Sequence, residues 1–279
     1  MNDVAWWNSA VFYIIYLRSF KDTNDDGIGD LTGVIGKLDY LRGTLGVDAI
    51  WLVGLLDSPW LEYGFDVSNH TGVHPAFGTM GTFDELVRQA HARGLKVLID
   101  FIPNHTSDRH VWFIEAASSR ESSKRDWYIW RDPKPDGTPP NNWLSLFGGP
   151  AWEWHERTWQ YYHHTFLKEQ PDLNWRNPQV QAAMFDVARF WLERGVDGFR
   201  IDAAQHIMKD PEMPDNPPAE PRIVRGLKLA HEYQSHVHDR EHPDLHGVWR
   251  ELRRLLDSYT NQDQRIAIAE VHTQLGWSE

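Results

Sequence analysis

Three segments carry residue types suited to acid–base and ion-pair chemistry: Asp100-Phe101-Ile102-Pro103-Asn104-His105, Phe199-Arg200-Ile201-Asp202 and Ala269-Glu270-Val271-His272. Each ends or follows a short apolar run, so each delivers a carboxylate at or near a strand end. Each carries Arg or His alongside. A single acidic residue after a strand is unremarkable, but three in series form a constellation that positioned proton transfer can use. Arg200 stands two residues before Asp202 on one strand. Alternation along the strand turns both to one side, where the guanidinium would keep the carboxylate ionised.

A second constellation lies near the start, Asp22-Thr23-Asn24-Asp25-Asp26-Gly27-Ile28-Gly29-Asp30. Oxygen ligands at alternate positions around a central glycine suit a hard cation such as Ca²⁺. The spacing mimics the opening of an EF-hand, but the twelfth position is Gly33 instead of a bidentate Glu, and a strand precedes the loop. A solvated acidic turn is the alternative. Aromatic residues make up 13% of the chain, with 15 tryptophans, many of them between Trp112 and Trp175. Flat apolar faces with polar edges suit the C–H faces of pyranose rings. For any single Trp, filling a core is the competing explanation.

The elements that must position these groups alternate. Residues 11–16 read as a strand, followed by a helix over 31–41, a strand over 49–52, a helix over 83–93 and a strand over 96–101. The pattern resumes with a helix over 180–194, a strand over 198–201, helices within 224–236 and 245–259, and a strand over 265–269. Apolar spacing near 3.6 marks the helices, and short uninterrupted apolar runs mark buried parallel strands. Such βα alternation means a parallel sheet, open or closed into a barrel. The irregular stretch 106–177, rich in Trp, Pro, Gly and Asn, is too long for a plain loop and reads as an inserted subdomain. The expected organisation is therefore 1–105 for strands one to three, 106–177 for the insert, and 178–279 for strands four and five.

Composition excludes several classes. The chain has 279 residues, 41% hydrophobic and 24% charged, which is ordinary for a globular protein. A net charge of −12 without a basic stripe argues against nucleic-acid binding. No apolar run is long enough to cross a bilayer, and no membrane association is expected. With no cysteine, disulfides and thiolate metal sites are excluded. Residues 1–9 lack a basic stretch followed by an apolar core, so no secretory signal is read and cytoplasmic residence is expected.

In order along the chain, Asp100…Asn104-His105, Gly198-Phe199-Arg200-Ile201-Asp202 and Glu270-Val271 resemble the signatures of the α-amylase family of glycoside hydrolases. The stretch Gln170-Pro171-Asp172-Leu173-Asn174 resembles the signature of its α-glucosidase and oligo-1,6-glucosidase branch. Ile207-Met208-Lys209-Asp210-Pro211-Glu212, with Asp215-Asn216-Pro217-Pro218, is similar to bacterial α-glucosidases.

The resemblance implies an α/β fold, a (β/α)8 TIM-type barrel of which about five strands are present, with catalytic groups at the C-terminal strand ends. It implies Asp202 as nucleophile and Glu270 as general acid/base of a retaining mechanism, which needs the two carboxyls ~5–5.5 Å apart. Glu270 would have to stay protonated near neutrality, through partial burial and a negative neighbour. Arg200, His105, Phe147, Phe166, Gln170 and His206 are implied as substrate-binding residues, with Asp100 and Asn104 in support. The family's metal site implies Asp22, Asn24, Asp26 and Asp30 as side-chain ligands and the Ile28 carbonyl as a further one, holding a structural Ca²⁺. No organic cofactor is implied.

Several positions depart from the family pattern. The loop after the second strand reads Glu62-Tyr63-Gly64-Phe65-Asp66 where Asp-x-Gly-Tyr is usual, so Glu62 and Phe65 would grip the terminal glucose with displaced hydrogen bonds and no hydroxyl. Val53-Gly54 replaces the usual Ser-Pro, and Ile14 and Leu17 replace Gln and Pro. Ala203 after the nucleophile accompanies α-1,4 preference in this branch. The family's later His-Asp signature and C-terminal β domain are absent from the 279 residues, so these residues are either a fragment of a longer protein or a truncated product, and very weak or no catalysis is expected of the chain by itself. Its unclosed barrel edges imply self-association. Three functions stay open: an α-glucosidase acting on oligosaccharides, a non-catalytic paralogue that binds sugar or a partner chain, and a transglucosylase or trehalose-synthase-like isomerase.

Overall fold

A computed structural model describes residues 5–220, 230–259 and 264–271. One sheet holds β1 (Phe12–Tyr16), β2 (Ala49–Val53), β3 (Lys96–Phe101), β4 (Gly198–Ile201) and β5 (Ile266–Ala269), side by side in sequence order. The pairings from β1 to β4 are parallel. Every residue of β4 and five of the six in β3 are buried, as strands covered on both faces should be. Consecutive strands lying next to each other require a helical crossover between each pair.

Besides a single α-helical turn at Leu17–Phe20, the α-helices among the described residues are α1 (Leu31–Ile35), α2 (Met80–Ala92), α3 (Val111–Ala116), α4 (Pro178–Glu193) and α5 (Leu245–Asp257). The helix expected over 31–41 is broken: α1 ends at Ile35, and a π-type turn follows over Tyr40–Thr44, closed by Leu45 N–H donating to Tyr40 O at 3.0 Å. Glycines weaken this stretch. Gly33 is nonetheless required, because a Cβ there would stand 2.2 Å from the Lys21 carbonyl oxygen.

The next helix starts three residues before its expected Phe83, because Thr79 caps it and accepts the Thr82 N–H at 3.2 Å. Its buried Phe83, Leu86, Val87 and Ala90 recur at helical spacing. Residues 224–229 of an expected helical stretch lie outside the described residues, and Ala230–Tyr233 forms a 3₁₀ turn.

By compactness the chain falls into two units: Met1–Ile102 with Ala183–Ile201 and Arg250–Ile268, and Pro103–Ala182 with Asp202–Trp249 and Ala269–Glu279. In the first, Asp197 is a buried clasp. Its carboxylate accepts the Val97 N–H at 2.9 Å and meets His91 at 2.7 Å and Arg265 at 2.5 Å, tying α2 and β3 to the approach of β5. Burial would raise this carboxyl, but His91, the Val97 N–H and Lys96 hold it below the usual range.

The second unit contains a three-stranded antiparallel sheet, with Gln160–His163 between Trp130–Arg131 and Trp152–His155. Here the aromatic clustering has a plain structural cause. Trp127, Trp130, Trp143, Trp152 and Trp175 are all buried, and Phe113 stacks on Trp130 at 5.6 Å and 7°. Most of the tryptophans between 112 and 175 therefore build the insert's own core instead of presenting faces to a sugar.

Candidate active site

In the first unit, register places Trp51 beside Leu98, and Asp100 opposite Arg200. Residues two apart share a face, so Trp51, Asp100 and Arg200 converge. Asp100 is 5% exposed. One of its oxygens accepts the Trp51 indole N–H at 3.0 Å and lies 3.5 Å from Arg200, and the other accepts the Gly54 N–H at 3.3 Å. The Arg200 guanidinium lies 5.3 Å from the ring centroids of both Trp51 and Phe65. Phe65 thus joins this cluster as a cation–π partner, a contact that needs no hydroxyl.

Glu62 and Phe65 sit half-exposed in a tightly wound loop. Trp60 and Tyr63 take left-handed backbone angles, φ 65° and 49°. Fully buried Asp66 fixes the loop by accepting the Ser58 hydroxyl at 2.8 Å, the Leu61 N–H at 3.0 Å and the Glu62 N–H at 3.2 Å. Sequence reading passed over Asp66 and Trp51. An acid two residues after a glycine in a turn is a usable signal for Asp66, whereas nothing local marks Trp51.

In the second unit, five of the implied substrate-binding residues meet around Phe166 or its immediate neighbours. Its ring centroid lies 5.2 Å from His105, 5.8 Å from Phe147 and 5.7 Å from His206. Gln170 Nε2 lies 3.1 Å from His105 Nε2, while its carbonyl oxygen accepts the Leu167 N–H at 3.1 Å. His105 and Gln170 are each 1% exposed and form the floor of this wall, whereas Phe147 is 54% exposed. Burial, then the charge of Lys209, holds the His206 imidazole well below its ordinary range, so the ring is neutral.

Asp202 is the residue after β4, half-buried at the start of a sharp turn. Ala203 adopts φ 48° there, a left-handed conformation a side chain disfavours, and its carbonyl accepts the His206 N–H at 2.9 Å. Strain of this kind at one residue needs surrounding structure to impose it. Glu270 follows β5 and is also half-buried. His272 lies outside the described residues.

The 22–30 loop closes on itself. Asp22 accepts the Asn24, Asp25 and Gly27 N–H groups at 2.9, 2.8 and 2.8 Å. The Gly27 contact leads in holding its carboxyl below the usual range. Asp26 accepts the Ile28 N–H at 2.8 Å and the Asn24 amide at 3.1 Å. Asp30 accepts from Thr23 and caps α1 through the Gly33 N–H at 2.7 Å. Its oxygen-only donors fit a hard cation chemically. Among the described residues, however, the loop does not bring three carboxylates together as a ready shell.

The profile of the alpha amylase catalytic domain matches residues 14–276. The chain belongs to the α-amylase family. Its five strands are accordingly part of a (β/α)8 barrel. A curated relative described as "Probable alpha-glucosidase", from Rhizobium meliloti (strain 1021), is 51% identical over 262 residues, covering 92% of this chain and 47% of the relative. The oligo-1,6-glucosidase of Heyndrickxia coagulans is 52% identical over 210 residues, 75% of this chain and 38% of that protein. Among solved structures, the alpha-glucosyl transfer enzyme XgtA superposes with a TM-score of 0.93 at 48% identity, over 97% of this chain and 51% of that one. This α-amylase-family chain therefore spans about half the length of the relatives it matches or less. No helix among its described residues is long and apolar enough to cross a membrane.

Proposed function

We propose that this chain carries the nucleophile and the acid/base of a retaining α-glucosidase, releasing glucose from the non-reducing end of α-linked gluco-oligosaccharides, α-1,4 bonds first. Glu270 gives its proton to the glycosidic oxygen as that bond breaks. An Asp202 oxygen bonds to the anomeric carbon and forms a glucosyl ester. Water, deprotonated by Glu270, then displaces Asp202 and releases glucose. Arg200 and Asp100 serve as the charged support of the strand ends.

The observation that carries this reading is the continuous path from His105 through Phe166 and His206 to Ala203, next to Asp202. Aromatic faces with buried polar edges, leading to a carboxylate on a strained turn, suit a pyranose ring entering with its anomeric carbon foremost. The test is glucose release from maltose and an aryl α-glucoside by the 279 residues completed with the rest of the Rhizobium meliloti sequence. A completed protein that melts cooperatively yet releases no glucose would sink the reading. So would one whose activity survives Asp202→Asn.

The likeness to a glucosyl-transferring structure supports a second reading, in which a sugar hydroxyl instead of water takes the glucosyl group from Asp202. Products longer than maltose in the same assay would favour it. For the 22–30 loop we propose a structural hard cation such as Ca²⁺, held by Asp22, Asn24, Asp26, Asp30 and the Ile28 carbonyl. It would brace the loop and take no part in bond cleavage.

A further inference from the structure

Asp172 is 0% exposed and Lys209 is 4% exposed, and the chemistry above uses neither. Their side chains meet at 2.9 Å, ammonium to carboxylate. Burial alone would raise the Asp172 carboxyl, yet Lys209, His163 and Thr165 hold it well below the usual carboxylate range. A buried ion pair is tolerated only when its other donors and acceptors are filled.

They are filled here. The ammonium also reaches Thr165 Oγ1 at 3.1 Å, Asn104 Oδ1 at 3.3 Å and the His206 carbonyl oxygen. The carboxylate accepts the Thr165 N–H at 2.9 Å, the Thr165 hydroxyl at 2.5 Å and the Asn104 amide at 3.0 Å, with His163 Nδ1 at 3.1 Å. The partners' places in the chain are informative. Asn104 precedes His105, Thr165 precedes Phe166, Asp172 follows Gln170 by two residues, and the carbonyl belongs to His206 itself. His105, Phe166, Gln170 and His206 are thus each within two backbone steps of the ion pair or of a residue bonded to it, and Phe147 joins them only through Phe166. The turn that begins at Asp202 hangs from the same ammonium through His206.

We propose that the Asp172–Lys209 pair is a positioning clasp, holding the His105–Phe166–Gln170 wall in register with the Asp202 turn. Only what the wall grips rests on the glucosidase reading. Directional bonds to one ammonium fix three chain segments against one another, which an apolar pair of the same volume could not do.

The test uses the 279-residue chain without ligand. The histidine ring signals are followed by NMR and assigned through His105→Gln and His206→Gln. The double variant Asp172→Asn/Lys209→Met leaves no buried charge alone, and it is expected to melt cooperatively. In it the His105 and His206 signals shift and broaden, while that of His91 stays in place. Unmoved His105 and His206 signals in a folded double variant overturn the clasp.

Should the double variant fail to fold, Lys209→Arg decides. Its planar fork keeps the charge but cannot reproduce the ammonium's contacts to His206 and Asn104, so the same two signals should move. Wild-type positions in that variant overturn the proposal. Maltose titration separates the two readings: wild-type rings that ignore maltose count against the glucosidase while the ligand-free comparison still decides the clasp. A maltose response weakened about tenfold or more in a folded clasp variant supports both.

Discussion

The Arg200 guanidinium lies 3.5 Å from an Asp100 carboxylate oxygen, on neighbouring strands whose register sets the two residues opposite each other. Asp100 also accepts the Trp51 indole N–H and the Gly54 N–H, so its charge is spread over donors from two strands and a loop. Asp100→Asn keeps the shape and removes that charge. Unfolding free energy should fall by about 3–5 kcal/mol, the range for breaking one side of a buried pair. Urea unfolding with an unchanged m-value checks it, and a loss under about 0.5 kcal/mol, as at an ordinary surface site, would contradict it.

Gly198 opens β4 where that strand lies against β5. A Cβ there would stand 2.5 Å from the Ile266 carbonyl oxygen and 2.8 Å from Ile266 Cγ1. Backbone cannot yield as a flexible side chain can, so Gly198→Ala must push the two strands apart. The expected cost is roughly 1–3 kcal/mol of stability, the range for overpacking. Gly46→Ala is not a fair control because of its left-handed backbone, φ 71°. Gly43→Ala, where nothing stands within 4 Å, is the control and should leave the melting temperature nearly unchanged. Equal effects of Gly198→Ala and Gly43→Ala would contradict the contact.

Much of this was legible in the sequence because it is local. Apolar runs of strand length located β3 and β4 to the residue, and the acids at their ends needed only the chain order. The insert's tryptophans were not legible in the same way, since composition cannot say whether Trp143 faces Trp152 or solvent. Asp172 and Lys209 stood in two separate signature runs, 37 residues apart in the chain, and no periodicity links them. Their pairing is a tertiary fact. The break after Ile35 was missed because the apolar spacing runs on through Leu38 and Leu41, both fully buried, as an unbroken helix would require.

The acidic loop gives a metal prediction. Asp22, Asp26 and Asp30 are turned onto backbone N–H groups, so a cation must compete with those bonds while gaining from three negative charges. Binding to the folded state alone stabilises it by RT ln(1 + [L]/Kd). Millimolar Ca²⁺ should raise the melting temperature by several degrees, and EDTA should reverse the rise. The double variant Asp22→Asn/Asp26→Asn should melt at one temperature with or without Ca²⁺. A wild-type chain indifferent to Ca²⁺ would leave the loop as a self-capped turn.

Stability should also fall in two acid steps. Burial pushes the His110 imidazole down to about 4, with Lys124 adding to it, and burial beside His236 does the same to His231, also to about 4. Unfolded, each ring titrates near 6.5. Below that pH the unfolded chain takes up protons that the native state refuses, so this stability is complete above about 6.5 and is lost as pH falls towards 4. The second step belongs to carboxylates. Burial would raise Asp239, but His236 holds it at about 2, and Asp172 is likewise depressed, so their contribution is present above 3.8 and lost below it. His110 also caps α3 with Nδ1, accepting the Trp112 N–H at 3.0 Å, a role a doubly protonated ring cannot fill. His110→Asn keeps a capping oxygen and removes the titration. Its unfolding free energy should therefore lose about one proton's worth of slope between pH 4 and 6.5 and match the wild-type slope above that range. A wild-type stability that stays flat from pH 6.5 to 4 would refute the neutral buried histidines.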